Sequence, residues 1–494
     1  MSLTKKIAKN TIIQIFGKII STILGLFALA LITRYLGPAG FGEYTTVNTF
    51  LTFFAVIADL GLTLVTVQMI SGRRDKSEEN KIINNLFSLR LVSAVIFLAA
   101  APIVVLLFPY SPEIRLGVLI TTGAFLFPAL NQIIIGLLQK KLSMDRDAAA
   151  EIFGRLALLL GILVTMKFNF GLNGILLATV IAAGTNFLLH YLFSLKFAVI
   201  KWQFDRSLWK EILIKSWPLA ITIVLNLIYL RADVLLLSVF RSAEEVGLYG
   251  ATYKVIDVLA TLPFMFAGLI LPILTAAWLE KNRDYFKKVL QKSFDFMSIV
   301  AIPLIIGAQF LATPIMSITA GRDFAASGNI LKLLIFAVAA IFLGTMFSHA
   351  VIALDKQKKM IGYYIFTSVS SLLAYLFLIP KYSYFGAASV TIYSEVLIAL
   401  FSAYCVYKYS KFIINLRVAF KALISGLIMG AFIFFFPADY QNTLGGLIFI
   451  IIPASLIYFL VLYLMGGIKS EDLESILKKQ NEGGRPTYDP GSIF

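Results

Sequence analysis

Four charged residues, Arg231, Asp233, Lys254 and Asp257, lie inside two neighbouring apolar stretches of the chain. Each stretch is long enough to cross a lipid bilayer, which takes about 20 residues of α-helix. A charged side chain at the centre of a bilayer costs about 3 kcal/mol or more, so such residues rarely face lipid. We therefore expect them to line a water-filled cavity or to pair with one another, and the segment from Tyr229 to Pro272 to form half of a substrate site.

Three more basic residues, Lys18, Arg90 and Arg155, lie in apolar stretches nearer the N-terminus. Together with Arg231 and Lys254 they are the candidate substrate-binding residues. An alternative for Arg90 and Arg155 is that their long side chains extend to lipid phosphates at the nearer membrane surface.

Four acidic residues also fall within apolar stretches: Asp59, Asp233, Asp257 and Glu395. A lone carboxyl inside a membrane span can bind a proton or a sodium ion, so all four are candidates for a coupling-ion site. The alternative is a structural role, either in hydrogen-bonded packing or in ion pairs of Arg231 with Asp233 and of Lys254 with Asp257. Residues three apart share a helix face and residues two apart do not, which favours the second pair.

The basic residues within the apolar stretches outnumber the acidic ones. A cationic path through a bilayer suits an anionic ligand such as a phosphate or a diphosphate. An exporter of organic cations would need a cavity of the opposite sign.

The common catalytic and metal-binding motifs are missing from the sequence. It contains no Gly-x-x-x-x-Gly-Lys-Ser/Thr loop, no His-Glu-x-x-His and no Gly-x-Ser-x-Gly. Two histidines, His190 and His349, and the single Cys405 make a metal cluster or an internal disulfide unexpected. We predict neither an enzyme nor a bound cofactor, and we expect a proton or sodium gradient to supply energy.

The composition defines the class of protein. Hydrophobic residues make up 59% of the 494 residues, charged residues only 14%, and the mean hydropathy is +0.87. A soluble domain cannot bury that much apolar surface, so we predict an all-α polytopic membrane protein. Apolar runs predict fourteen transmembrane helices, near residues 11–33, 41–70, 84–109, 114–139, 148–168, 171–197, 214–240, 246–278, 291–319, 328–353, 359–379, 385–410, 416–437 and 442–466.

The loops between these runs predict the orientation of the chain. Most of the 43 lysines and arginines fall in one set of alternate loops and at the two termini. Basic loops stay in the cytoplasm, so both termini are expected there, in a protein of the plasma membrane. The net charge of +16 is then a consequence of topology, and no nucleic-acid partner is expected.

A weak internal repeat divides the chain. Phe41-Gly42-x-Tyr44 resembles Val246-Gly247-x-Tyr249, six predicted spans further on. An even number of spans preserves orientation, so the two repeats would be related by an axis along the membrane normal. We predict a six-helix lobe, an amphipathic linker on the inner leaflet, a second six-helix lobe, two extra helices and a cytoplasmic tail, at residues 1–199, 200–215, 216–412, 413–468 and 469–494.

These motifs resemble those of bacterial and archaeal polysaccharide-biosynthesis flippases. The segments LITRYLGPAGFGEY, from Leu31 to Tyr44, and ADLGL, from Ala58 to Leu62, are similar to the opening of that family. RADVLLL from Arg231, VGLY from Val246, and Leu271-Pro272 resemble the signature of its second lobe. The family belongs to the multidrug/oligosaccharidyl-lipid/polysaccharide (MOP) exporter superfamily.

The resemblance implies two six-helix lobes around a V-shaped cavity that opens to alternate sides of the membrane. It implies transport of a polyprenyl-diphosphate-linked oligosaccharide. Membrane lipids and proteins of polysaccharide polymerisation or assembly are the further partners expected. The protein is expected to act as a monomer. The related lipid II flippases are an alternative, although the first span lacks their denser arginine cluster. A cation-coupled multidrug exporter and a non-transporting membrane scaffold are the remaining alternatives.

Overall fold

The computed structural model describes residues 3–63, 66, 69, 76–437, 440 and 443–468. These residues form helices and connecting turns, with no β-strand among them. The α-helices, here numbered α1 to α12, are Leu3–Asp59, Lys76–Val104, Pro112–Lys140, Met144–Phe168, Gly171–Ser194, Arg206–Phe240, Ala243–Leu279, Arg283–Thr319, Ser327–Ala353, Gln357–Ser410, Arg417–Phe434 and Leu444–Leu464. Short 3₁₀ turns at Val105–Leu107 and Arg322–Phe324 complete the described part of the chain.

Twelve helices in the described residues are long and apolar enough to cross a membrane. This confirms the prediction of an all-α polytopic membrane protein. Two of the twelve are too long for one crossing, because the candidate span covers 44 residues of α1 and 54 residues of α10. A straight helix of 44 residues would measure about 66 Å, roughly twice the hydrocarbon core of a bilayer.

Each of these two long helices is broken at one residue. Gly37 in α1 has φ 65° and ψ 179°, and Ser383 in α10 has φ 51° and ψ −135°. Glycine reaches a positive φ without steric cost, and Pro38 suits the first turn of a new helix because it needs no amide donor there. The break predicted between the first two spans, near residues 34–40, therefore lies at the single residue Gly37.

The two halves of α10 run antiparallel. The rings of Tyr363 and Phe401 stack with their centroids 4.5 Å apart. Further along, the Tyr393 hydroxyl donates to the Ser370 hydroxyl at 3.1 Å. Residues that follow one another in the first half thus meet residues in reverse order in the second.

Two predicted boundaries differ from the structure. The predicted second span, 41–70, is interrupted because α1 ends at Asp59 and Gly61 then takes a positive φ of 75°. The predicted linker helix is not separate, because α6 begins at Arg206 and continues unbroken to Phe240. The predicted tail, from Lys469 onward, lies outside the described residues.

The first turn of α6 is held by a charged cap. The Asp205 carboxylate accepts a hydrogen bond from the Leu208 amide at 3.1 Å and pairs with the Lys81 ammonium at 2.6 Å. These two contacts, that of Lys81 first, lower the pKa of Asp205 below its usual value. The linker region is thereby attached to α2.

The two repeat motifs meet at the predicted outer end of the bundle. A Cβ added to Gly42 would lie 1.7 Å from the carbonyl oxygen of Ala243, and one added to Gly247 would lie 1.9 Å from that of Pro38. Only glycine allows two backbones to approach so closely. The Arg34 guanidinium adds a link from α1 to the carbonyl of Thr319 at the end of α8. Helices α1, α7 and α8 are therefore closely packed at this end of the bundle.

Candidate functional site

Three adjoining cavities occupy the interior between α1, α3, α4, α5, α6, α7, α9 and α10. We name them the basic cavity, the amide-lined cavity and the Glu395 cavity. The basic cavity shares Lys18, Glu151 and Thr261 with the amide-lined cavity, and Asp257 with the Glu395 cavity. A ligand in one cavity would therefore lie next to the others.

The basic cavity, of about 280 Å³, brings three predicted candidates together: Lys18 from α1, Arg155 from α4 and Lys254 from α7. The Lys18 ammonium lies 3.3 Å from the Glu151 carboxylate, and 49% of the Lys18 side chain is exposed. The Lys254 side chain is exposed into the cavity, and Arg155 is half-buried. Neither Lys254 nor Arg155 has a hydrogen-bond or ion-pair partner among the described residues.

Small residues leave room for these cations. A Cβ added to Gly25 of α1 would lie 3.8 Å from the guanidinium carbon of Arg155, at ordinary contact distance. The guanidinium group of Arg155 therefore lies against the bare backbone of α1. Ser21 and Thr22, one turn earlier, also line the cavity and contribute only short polar side chains.

Arg231 pairs with Asp257, and this is neither of the two ion pairs considered from the sequence. Its guanidinium lies 2.6 Å from the Asp257 carboxylate, across α6 and α7, and 5.0 Å from the centre of the Tyr253 ring. Because Asp257 pairs with Arg231, Lys254 has no direct acidic contact among the described residues. Lys254 and Asp257 nevertheless lie only one turn apart on α7. The basic cavity consequently contains a basic side chain that has no ion-pair partner among the described residues.

Asp233 is completely buried and does not itself line any of the three cavities, although Tyr253 and Thr391 beside it line the Glu395 cavity. Its carboxylate accepts hydrogen bonds from the Tyr249 hydroxyl at 2.8 Å, from Thr391 at 3.2 Å and from Tyr253. It connects α6 to α7 and α10. Residues two apart on a helix point to different sides, so Asp233 and Arg231 do not meet.

Arg90 and Asp59 pair with each other, outside the three cavities. The Arg90 side chain is 4% exposed and also donates to the Ala129 carbonyl at 3.0 Å. Asp59 accepts a further hydrogen bond from the Thr63 hydroxyl. These contacts connect the end of α1 with α2 and α3, and the Arg90 side chain does not extend to a membrane surface.

The Glu395 cavity, of about 260 Å³, is bounded by α6, α7, α9 and α10. Glu395 is 8% exposed, and one of its carboxyl oxygens has no hydrogen-bond partner in the described part of the chain. Tyr229, Tyr364 and His349 line the same space. An uncompensated carboxylate in such a place is costly, so the site favours a group that takes up a proton or a cation.

The amide-lined cavity, of about 610 Å³, was not predicted from the sequence. Its lining includes five side-chain amides, Gln14, Asn131, Gln132, Gln139 and Asn186. Each amide offers both donors and acceptors, which is the hydrogen-bonding capacity that sugar hydroxyls require. Neutral amides carry little signal in a sequence, because they are common on polar helix faces.

One histidine is held at the wall of this cavity. The His190 ring lies 3.0 Å from the Asp147 carboxylate through Nε2 and 2.9 Å from the Asn186 carbonyl through Nδ1. Both ring nitrogens are thus occupied, and the histidine serves to connect α4 and α5. No cluster of three metal-ligating residues exists among the described residues.

Comparison with known proteins finds similarity along most of the chain. The family described as "Polysaccharide biosynthesis protein" matches residues 7–278, more than half of the chain. A candidate O-antigen transporter of Shigella flexneri is 22% identical over 401 residues, which cover 77% of this chain and 93% of that protein.

Two solved structures share the fold. The lipid II flippase MurJ in an inward closed conformation is 18% identical with a TM-score of 0.75, covering 94% of this chain and 99% of that one. An inward-facing multidrug resistance MATE family transporter of the MOP superfamily is 14% identical with a TM-score of 0.66, covering 79% and 95%. The predicted MOP fold is confirmed by these similarities.

Proposed function

Since the chain belongs to the polysaccharide biosynthesis protein family, we propose that it is a flippase for a polyprenyl-diphosphate-linked oligosaccharide. It would carry this lipid from the cytoplasmic to the outer face of the plasma membrane by alternating access. The predicted class, a membrane transporter rather than an enzyme, is confirmed by the family and the shared fold. The name of the Shigella relative supports a glycan as the cargo.

We propose fourteen membrane crossings with both termini in the cytoplasm. Each half of the broken helices α1 and α10 would cross once, and the other ten helices once each. Two lobes of six crossings, with α11 and α12 in addition, follow from this count. The contact of Gly42 with Gly247 supports the arrangement, because it places equivalent segments of the two repeats beside each other.

The basic cavity is the proposed diphosphate site. The observation that carries this proposal is the meeting of three basic side chains in one cavity. Lys18, Arg155 and Lys254 come from three different helices and meet around one space. Arg155 and Lys254 have no hydrogen-bond or ion-pair partner among the described residues, so an anionic ligand would supply the missing partner. An exporter of organic cations would have to place its ligand beside these charges, at a large electrostatic cost.

The adjoining amide-lined cavity is the proposed place for the first sugars of the glycan. Its amides can donate hydrogen bonds to hydroxyl groups and accept hydrogen bonds from them, and the carboxylates of Asp147 and Glu151 can accept. The polyprenyl chain would remain in the bilayer. Arg231 and Arg90, each already paired with a carboxylate, would act by holding helices in position.

Glu395 is the proposed coupling residue. It would take up a proton or a sodium ion from the Glu395 cavity, which touches the basic cavity through Asp257. Asp257 could pass a change of charge from one cavity to the other through its contact with Arg231. Asp59 and Asp233 are already satisfied by hydrogen bonds, so we propose structural roles for both.

The test is export in cells that lack the protein. Arg155→Gln and Lys254→Gln should each leave polyprenyl-linked glycan on the cytoplasmic face, at unchanged protein level. Lys288→Gln, at an exposed position on α8, is the matched control and should restore export. Full export by both cavity variants would contradict the assigned site, and no accumulation in the knockout would contradict flipping itself.

Lipid II is the second candidate cargo, favoured by the fold shared with MurJ over 99% of that chain. Lipid II also carries a diphosphate and a sugar, so the basic cavity does not separate the two cargoes. Rescue of cells depleted of their lipid II flippase would favour this alternative. Failure of rescue, with the knockout accumulating another glycan, would favour the first.

A further inference from the structure

A fourth pocket has no part in the proposed transport path. It lies where α10 begins and ends, at the predicted cytoplasmic surface, has a volume of about 470 Å³, and shares no lining residue with the three central cavities. We name it the interfacial pocket. Its walls are Lys359, Gly362, Tyr363, Phe366, Phe401, Tyr404, Cys405, Lys408 and Tyr409.

The interfacial pocket is cationic. Lys359 and Lys408 are exposed, and neither has an ion-pair or hydrogen-bond partner within the described chain. No acidic residue lines the pocket. Lys356 adds a third ammonium nearby, 5.1 Å from the centre of the Tyr409 ring. Asp355, next along the chain, does not line the pocket and accepts a hydrogen bond from Gln357 at 3.1 Å.

The other wall is aromatic and faces outward. Tyr363 and Phe401 stack, and Phe366 meets the edge of Phe401 with centroids 6.1 Å apart. Phe366 is 55% exposed and Tyr404 is 52% exposed. Exposed aromatic rings beside lysines at the end of a membrane helix are typical of the boundary between hydrocarbon and headgroups. The pocket therefore opens at headgroup depth.

We propose that the interfacial pocket binds the phosphate headgroup of an anionic phospholipid of the inner leaflet. Lys359 and Lys408 would contact the phosphate, and the start of the acyl chains would lie along Phe366 and Tyr404. Basic pockets between membrane helices on the cytoplasmic side bind anionic headgroups in this way. A bound lipid would contact both halves of α10 at their cytoplasmic ends. It would therefore hold this helical pair at a constant depth in the membrane.

The experiment measures binding of phosphatidylglycerol to the full-length purified protein, with phosphatidylcholine for comparison. Each lysine near an anionic surface is worth about a fivefold change in affinity, so Lys359→Ala with Lys408→Ala should weaken binding about 30-fold. Lys358→Ala is the matched control, because Lys358 is exposed and next in sequence but does not line the pocket. Its binding should match that of the wild type.

A second variant tests the pocket without changing its charge. A Cβ added to Gly362 would meet nothing within 4 Å, so Gly362→Leu can fill the pocket without displacing the backbone. It should reduce phosphatidylglycerol binding while the protein elutes as the wild type does in gel filtration. Gly268→Leu, at another glycine with open space around it, is the control for side-chain size.

Two results would overturn the proposal. Equal phosphatidylglycerol binding by the double-lysine variant and by Lys358→Ala would show that the lipid lies elsewhere. Competition by soluble glycerol phosphate at the concentrations that saturate the site with lipid would identify a site for free phosphate compounds instead. Because export by the basic cavity is measured separately, failure here leaves the proposed transport function unaffected.

Discussion

The basic cavity and the Glu395 cavity share the side chain of Asp257, yet they present opposite charge in opposite surroundings. In the first, Lys254 is exposed into the cavity and contacts no acidic group. In the second, Glu395 is 8% exposed and lies among tyrosines. Water can stabilise the exposed ammonium but scarcely reaches the buried carboxylate. One cavity is thus prepared for a charged ligand, and the other for a small cation that neutralises its acid.

The largest expected effect comes from reversing the charge of the basic cavity. Lys254→Glu should reduce glycan export at least about 30-fold, because loss of a charged partner of a desolvated anion costs about 2 kcal/mol or more. Lys254→Arg should retain most export. Lys288→Glu makes the same change of charge at an exposed position of α8. If the Lys288 and Lys254 reversals reduce export equally, the effect belongs to net charge and not to the cavity.

The next effect separates binding from coupling. Glu395→Gln should leave binding of the lipid-linked substrate unchanged and lower gradient-driven export about 5- to 150-fold, the usual range of a coupling free energy. Export by this variant should no longer respond to an imposed proton or sodium gradient. Glu395→Asp restores a carboxyl and should recover the response. A gradient response that persists in Glu395→Gln would exclude this residue as the coupling site.

A smaller effect is expected at the residue that both cavities share. Asp257→Asn releases Arg231 and adds net positive charge beside the basic cavity. The pair is partly exposed, so its loss should lower the free energy of unfolding by only about 1 kcal/mol. Substrate binding should tighten, whereas export should fall. Weaker binding would contradict the view that positive charge holds the substrate. Glu280→Gln, at the exposed residue that directly follows the same helix, should change neither.

The smallest effect is expected outside both cavities, at Asp205. The Lys81 contact and the Leu208 amide lower its folded-state pKa, so its contribution to stability is present above its unfolded pKa and is lost as the pH falls through the lower folded value. With an ordinary value near 3.9, that window lies below about pH 4. Asp205→Asn should therefore leave the pH dependence of export between pH 5 and 8 unchanged. A shift of that profile would mean that acids outside the cavities contribute to it.

Much of the fold could be predicted, because a bilayer imposes strong rules on composition. The apolar runs located the spans, since a helix in lipid must satisfy its own backbone and hide its polar side chains. Local backbone conformation was less accessible. Gly37 and Ser383 break their helices at single residues, and Gly61 interrupts a run that reads as continuously apolar.

The candidate site was predicted in part. Lys18, Arg155 and Lys254 stood out because a charge within an apolar run is rare, and the structure brings all three together. Nearby polar residues such as Gln132 were not predicted. Burying a neutral amide in a membrane span costs less free energy than burying a charge, so an amide in an apolar run is not a strong signal. The contact between Arg90 and Asp59 was not predicted, because it joins helices whose relative position no local pattern reveals.

The sequence by itself determined the class of protein, its helical architecture and the identity of the unusual charges. Those properties depend on residue type and on spacing along one helix. Only the tertiary structure decided which charges meet: Arg231 contacts Asp257 on another helix, Asp233 is enclosed by tyrosines, and Lys254 has no ion-pair partner among the described residues. Pairing between helices depends on their rotation and depth relative to one another, and these result from packing along the whole interface.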